Sequence, residues 1–326
     1  MIKASDIFNI KNEAAFIDMA LKVFKFQFEN NTVYRSLCDL LYVNPSDVKR
    51  IEDIPFLPIQ FFKSHTVVST NAPVETTFTS SGTTGSITSK HYVTDLKLYE
   101  QSFKKGFAEA YGEIKDYVIL ALLPSYLERE GSSLIYMVDQ LIKDSKQAES
   151  GFYLHNLSEL KDTLLRLDAD GKKVLLIGVS YALLDLVEIH SFQLKNTIVM
   201  ETGGMKGKRK ELIKEELHTI LKNGFGVDNI HSEYGMTELL SQAYSKGNGV
   251  FECPKWMKIF TRDTEDALTI LQEGKNGGIN VIDLANLNSC AFIATQDLGK
   301  VHANSHFEII GRFDNSDIRG CNLMVL

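Results

Sequence analysis

The chain has 326 residues, 44% of them hydrophobic, 24% charged and only 6 of them proline, so it can bury a large α/β core and its composition excludes a disordered protein. A formal charge of −7 excludes the concentrated basic surface that general nucleic-acid binding needs, while leaving local binding of a nucleotide open. Cys38, Cys253, Cys290 and Cys321 stand far apart with no CxxC pair, which argues against both a zinc site and a disulfide framework.

The start, MIKASDIFNI, lacks the basic and apolar regions of a secretory signal, and the expectation is a cytoplasmic chain. The first sixty residues read as amphipathic helices, with Phe16, Met19, Ala20, Val23 and Phe24 at helical spacing, broken at EDIPFLPIQFFK. Helices are predicted over 93–111, 132–143 and 180–189, and strands over 117–123 and 174–178. The apolar runs of those strands, YVILALLP and KVLLIGV, are too short to cross a bilayer, so no membrane span is expected. The alternation predicts a mainly parallel sheet covered by helices. A strand at NTIVME, a turn at Gly203 and Gly204, and a helix from about 208 to 222 striped by Leu212, Ile213, Leu217, Ile220 and Leu221 continue it. Beyond about 245, ALTILQEG, GGINVIDL and HFEIIGR read as hairpins. The predicted fold is therefore α/β, with a core over 1–245 and a small β subdomain with a tail over 246–326.

Two stretches point to chemistry. TSSGTTGS, residues Thr79 to Ser86, follows a β-favouring run. Gly82 and Gly85 permit backbone conformations in which successive N–H groups converge on an anion, and Ser80, Ser81, Thr83 and Thr84 add hydroxyl donors. Lys90 offers a charge just beyond, although the spacing is not that of a Walker A loop. A solvated linker has the same composition. IHSEYGMTELLSQ sets Tyr234 beside Gly235 and Thr237 beside Glu238: a ring for a nucleobase, a hydroxyl for a phosphate and a carboxylate for Mg2+. A buried tyrosine before a capped helix is the alternative.

Together, TSSGTTGS, SEYGMTE, TQDLG and GR resemble the ordered core motifs of the adenylate-forming, acyl-CoA synthetase-like superfamily. IPFLPIQFFKSH, LPSYLEREGSSLIYMV, TGGMKGKRKEL and the terminal DIRGCNLMVL resemble its LuxE-type acyl-protein synthetases, over nearly the full chain. The resemblance implies ATP and Mg2+ as cofactors and a fatty acid as substrate. It implies that Ser80 to Ser86 hold the ATP phosphates, that Tyr234 stacks on adenine, and that Gly203 and Gly204 line the adenine or acyl pocket. Thr237 and Glu238 would face the phosphates and the metal, and Asp297, helped by Arg312, would take the ribose hydroxyls. An Asx turn at Asp297 and a surface hairpin position for Arg312 are the plainer readings.

The chain also departs from the superfamily, because it ends soon after GR, without the usual C-terminal domain and its lysine. In acyl-protein synthetases a C-terminal cysteine takes the acyl group, and Cys321, beside Gly320 and near Arg319, matches it. The resemblance thus implies formation of acyl-AMP, capture by Cys321 as a thioester and passage to a reductase or carrier protein, with an apolar acyl pocket along Leu122 to Val138. An external thiol such as CoA is the alternative acceptor. Two rivals come from other classes. GVSYA around Ser180, with Asp283 and His302 or His306 downstream, has the order of a serine hydrolase, whereas the adenylate-forming reading makes Ser180 an ordinary strand-to-helix cap. A non-catalytic acyl- or nucleotide-binding subunit is the other. HANSH has a metal-binding spacing for a helix but reads as a hairpin, so no metal site is assigned to it.

Overall fold

A computed structural model describes residues 2–80, 87–124, 131–203 and 212–313. They group into two compact units that interleave in the sequence: the first takes described residues up to 77, 87–98 and those from 252 onward, the second takes 78–80 and those from 99 to 251. The helices at the start of the chain therefore group with the C-terminal strands and not with the parallel sheet, and the unit boundary lies at 251/252 where the sequence suggested 245/246.

In the first unit, the helices Glu13–Asn30 and Thr32–Leu40 are each capped by an asparagine: Asn12 accepts from the Ala15 N–H at 3.0 Å and Asn31 from the Tyr34 N–H at 2.9 Å. Phe16, Ala20, Val23 and Phe24 are buried as their spacing demands, with Met19 at the margin of the stripe. They cover an antiparallel meander of the strands Met257–Arg262, Asn276–Asp283, Phe292–Val301 and Phe307–Arg312. Tyr34 stacks on Phe292 with centroids 5.8 Å apart, and Phe24 meets both rings edge-on. The buried Gln27 amide fixes the approach, donating to the Asn286 and Leu287 carbonyls and accepting from the Ala291 N–H.

One expected hairpin strand is absent. ALTILQEG makes only an isolated bridge, Arg262 with Ile270. Asp263 and Asp266 accept from backbone N–H groups two or three residues on, which turns the chain locally and competes with a ladder, leaving Leu268 exposed. GGINVIDL and HFEIIGR are strands, and HANSH is the turn between Phe292–Val301 and Phe307–Arg312, closed by the His302 N–H on the His306 carbonyl at 2.7 Å.

The second unit is built on the parallel strands Gly151–Phe152, Val118–Leu122, Val174–Gly178, Thr197–Glu201 and His231–Tyr234, in that spatial order, with Ala243–Ser245 added antiparallel. Val118–Leu122 and Val174–Gly178 are buried at every position, as strands covered on both faces must be. The helices Ser133–Ser145 and Ser180–Ile189 fall where the periodicity put them, Lys214–Phe225 starts and ends later than the helix expected from about 208 to 222, and Leu157–Ala169 is a helix the sequence reading did not single out. In the last, Leu217 and Leu221 are buried but Ile213 and Ile220 are exposed, so the stripe is narrower than the sequence suggested, with His218 and Phe225 completing it. Among the described residues no helix is long and apolar enough to cross a membrane.

Candidate functional site

In a parallel sheet the strands' C-terminal ends point into one crevice, where ligands of open α/β folds bind. In Thr197–Glu201 the residues from Ile198 to Met200 are apolar and the strand ends on Glu201, which is only 1% exposed. Its Oε2 accepts from the Gly203 N–H at 2.6 Å and from the Ser180 hydroxyl at 3.3 Å, while Lys214 Nζ stands 3.2 Å and His218 Nε2 3.6 Å from Oε1. Burial alone would raise its pKa. His218, Lys214, Ser232 and the Gly203 N–H outweigh that and hold it at about 2, so Glu201 is a carboxylate. Gly203 sits at φ +70, the left-handed region a glycine tolerates, so the Glu201 bond and the missing Cβ together shape the turn that follows the strand.

The next strand, His231–Tyr234, alternates. Ser232 is buried and lies 3.4 Å from His218 Nε2. Tyr234 is 9% exposed, with its ring edge-on to Phe251 at 5.9 Å. Between them Glu233 lines a cavity of about 160 Å³ shared with Thr79, Ser132, Thr202, Thr237 and Gln242. Burial, and then the nearby Glu201 charge, push the Glu233 carboxyl up to about 8, so at neutral pH it keeps its proton. Gly235 is required for space, since a Cβ there would fall 2.4 Å from Glu233 Oε1. Met236 to Leu239 form a turn, closed by the Leu239 N–H on the Met236 carbonyl at 3.1 Å, so the helix expected in the alternative reading is not formed. Glu238 is buried and Thr237 lies on the cavity wall.

Also in the lining, Ser132 caps the helix Ser133–Ser145, accepting from the Ile135 N–H at 3.4 Å, and the Tyr99 hydroxyl donates to the Ser133 carbonyl at 2.9 Å. Thr79 is tied to the Gly131 carbonyl through its N–H at 2.7 Å. Leu134, Met137 and Met236 are the apolar part of the lining. Of the segment Leu122 to Val138, expected to line an apolar acyl pocket, Ser132, Ser133, Leu134 and Met137 line this cavity.

The sequence-predicted residues divide as follows. Gly235 and Thr237 come together at the cavity, with Tyr234, Glu238 and Gly203 close along the chain. In the first unit Asp297 and Arg312 face each other across two strands, Nε to Oδ1 3.8 Å, with Asp297 18% and Arg312 69% exposed. Asp297 therefore belongs to a ladder and not to an isolated Asx turn. Lys90 is exposed on the strand Lys90–Val93. Ser80 ends the described run after Thr76–Thr79, and Ser81, Gly82, Thr83, Thr84, Gly85, Gly204 and Cys321 lie outside the described residues.

Ser180 does not cap its helix: the N-cap is Val179, and the Ser180 hydroxyl goes to Glu201 from a position 1% exposed. His302 lies 3.0 Å from Glu308, and Asp283 caps Ala285, so these groups have structural work of their own. Glu201, Glu233 and Gln242 were not singled out from the sequence. Glu201 had a signal, a charge closing an apolar strand just before a Gly-Gly turn. Glu233 had none beyond its place in SEYGMTE.

The description "Acyl-protein synthetase, LuxE" belongs to a family whose model matches residues 6–114 and 130–326. The chain is 24% identical over 331 residues to a long-chain-fatty-acid–luciferin-component ligase of Vibrio harveyi, a match spanning 92% of this chain and 84% of that protein. Among solved structures it is similar to a 2-hydroxyisobutyryl-CoA ligase in complex with 2-HIB-AMP and CoA, with TM-score 0.68 and 14% identity, over 93% of this chain and 68% of that one. It is also similar to ATP-bound MatB from Rhodopseudomonas palustris, with TM-score 0.53 and 15% identity, over 75% of this chain and 49% of that one. The structural likenesses give the fold, that of adenylate-forming ligases. With the family match extending over nearly all of its length, this chain is a ligase and belongs to the LuxE family of acyl-protein synthetases.

Proposed function

We propose that the chain activates a fatty acid with ATP and transfers the acyl group to a protein thiol. The observation that carries this is the SEYGMTE segment, which ends a parallel strand and sets Gly235 and Thr237 in the lining of the cavity at the sheet's C-terminal edge, together with Ser132 and Thr79. A free carboxylate is a poor electrophile. Attack of its oxygen on the α-phosphorus of ATP expels pyrophosphate and gives an acyl-AMP, whose AMP is a good leaving group.

In this reading Tyr234 meets the adenine, Ser80 to Gly85 and Thr237 hold the phosphates, and Asp297, oriented by Arg312, takes the ribose hydroxyls. Gly203 and Gly204 border the adenine or the acyl chain. Glu238 is a buried oxygen ligand next to a cavity-lining hydroxyl, a donor set that suits Mg2+, which keeps one or two protein carboxylates and otherwise binds phosphates and water. The metal supplies neutralisation of the phosphate charge. Cys321 then displaces AMP and becomes the thioester, and a reductase or carrier protein is the onward acceptor.

The test is the intact mass of the protein after incubation with Mg-ATP and fatty acids, in wild type and in Cys321→Ser. A hydroxylamine-labile acyl adduct that requires ATP and disappears in the variant is the expected result. An adduct that survives in Cys321→Ser removes Cys321 as acceptor. With no adduct but ATP–pyrophosphate exchange intact, the acceptor is an external thiol such as CoA.

A further inference from the structure

The cavity beside SEYGMTE holds more hydrogen-bonding capacity than an unsubstituted hydrocarbon chain can use. Glu233 is flanked on its strand by buried Ser232 and Tyr234 and reaches the cavity wall, where its Oε1 occupies the space a Cβ on Gly235 would fill. Thr202 Oγ1 and Gln242 Oε1, on residues of the same wall, are buried and have no hydrogen-bond partner. Buried polar groups normally find partners, so two unpartnered oxygens here call for an explanation. The Glu233 carboxyl, protonated at neutral pH, can both donate and accept. An alkyl chain laid against this wall would leave the Glu233 carboxyl unmatched, while Leu134, Met137 and Met236 still offer it an apolar surface.

Resting on the activation reading above, we propose that the acid taken by this chain carries a hydrogen-bonding substituent, a hydroxyl or an ammonium group, and that Glu233 is the residue that selects it. A site built to hydrogen-bond a substituent rejects the analogue lacking it far more strongly than an apolar pocket rejects a missing methylene. A hydroxyl is recognised by the neutral carboxyl. An ammonium group would draw the proton off Glu233 and pair with the carboxylate.

The experiment is ATP–pyrophosphate exchange by the full chain with dodecanoic acid and its 2-hydroxy, 3-hydroxy, 2-amino and 3-amino derivatives, in wild type, Glu233→Gln and Glu233→Leu. Wild type is expected to show kcat/KM at least about tenfold higher for one substituted acid than for dodecanoic acid, a modest share of the discrimination such sites reach. In Glu233→Leu that ratio falls to about one or below. Glu233→Gln separates the sources: the amide keeps a hydroxyl preference and loses an ammonium preference. Thermal shifts of wild type with each acid and Mg-ATP, ranked in the same order, supply a measurement that needs no variant to fold. Equal or better exchange with dodecanoic acid in wild type overturns the proposal while leaving activation standing, as does a preference that persists in Glu233→Leu. Exchange with no acid of any kind overturns the activation reading and this one with it.

Discussion

Asp297 and Arg312 show what exposure does to a charge pair. At 3.8 Å, with the guanidinium 69% exposed, the pair contributes little to folding, so Arg312→Ala should change stability by no more than about 0.5 kcal/mol. Asp297 is a different matter if it holds the ribose. Asp297→Ala is expected to raise KM for ATP about 10- to 100-fold, the loss of one or two charge-assisted hydrogen bonds, with the melting temperature nearly unchanged. Steady-state kinetics and a thermal melt on the same preparation check both. At Gly235 the constraint is steric. With a Cβ 2.4 Å from Glu233 Oε1, Gly235→Ala must push that carboxyl aside, and a loss of about 1–3 kcal/mol in urea unfolding is expected.

At the scale of elements, the end of Thr197–Glu201 is organised by one carboxylate. Glu201 joins a strand end, a helix start at Ser180, the turn at Gly203 and the helix bearing Lys214 and His218. Its folded pKa, about 2, lies below its ordinary 4.5. A depressed carboxylate gives stability that is fully present above the ordinary value and is lost as pH falls toward the folded one. Wild type should therefore lose unfolding free energy between about pH 5 and 3 more steeply than Glu201→Gln, measured as urea midpoints against pH. At neutral pH the variant itself should be less stable, because Lys214 would face an uncharged amide.

For the molecule as a whole, two carboxyls on adjacent parallel strands pull stability in opposite directions. Glu233 keeps its proton to about pH 8, while the unfolded chain releases it near 4.5. Its contribution is complete below 4.5 and is lost as pH rises through 8. His231, held down to about 4 by burial and Lys246, contributes on the acid side, gaining as pH rises toward 6.5 and then constant. Above neutrality Glu233 is the one of these three still changing. Wild type should lose a few degrees of melting temperature between pH 7 and 8.5, and Glu233→Gln should lose measurably less.

The sequence by itself determined most of the helices and the central parallel strands, though not the helix Leu157–Ala169 or the two-residue edge strand Gly151–Phe152. Fully apolar runs such as Val118–Leu122 and 3.6-residue stripes such as Phe16, Ala20, Val23 and Phe24 depend on local periodicity, which neighbours in the chain carry. It also made SEYGMTE legible, because a glycine between an aromatic residue and a Thr-Glu pair is a local pattern. ALTILQEG misled for a local reason as well: alternation was read, but the turn-forming side chains of Asp263 and Asp266 took the backbone donors. Only the tertiary structure decided that the N-terminal helices pack on the C-terminal meander, that Ser180 serves Glu201, and that Glu233 stands protonated on a polar wall. Each of those depends on strands far apart in sequence. A carboxyl's charge is set by its burial and by the charge on the next strand, neither of which is written in the residues beside it.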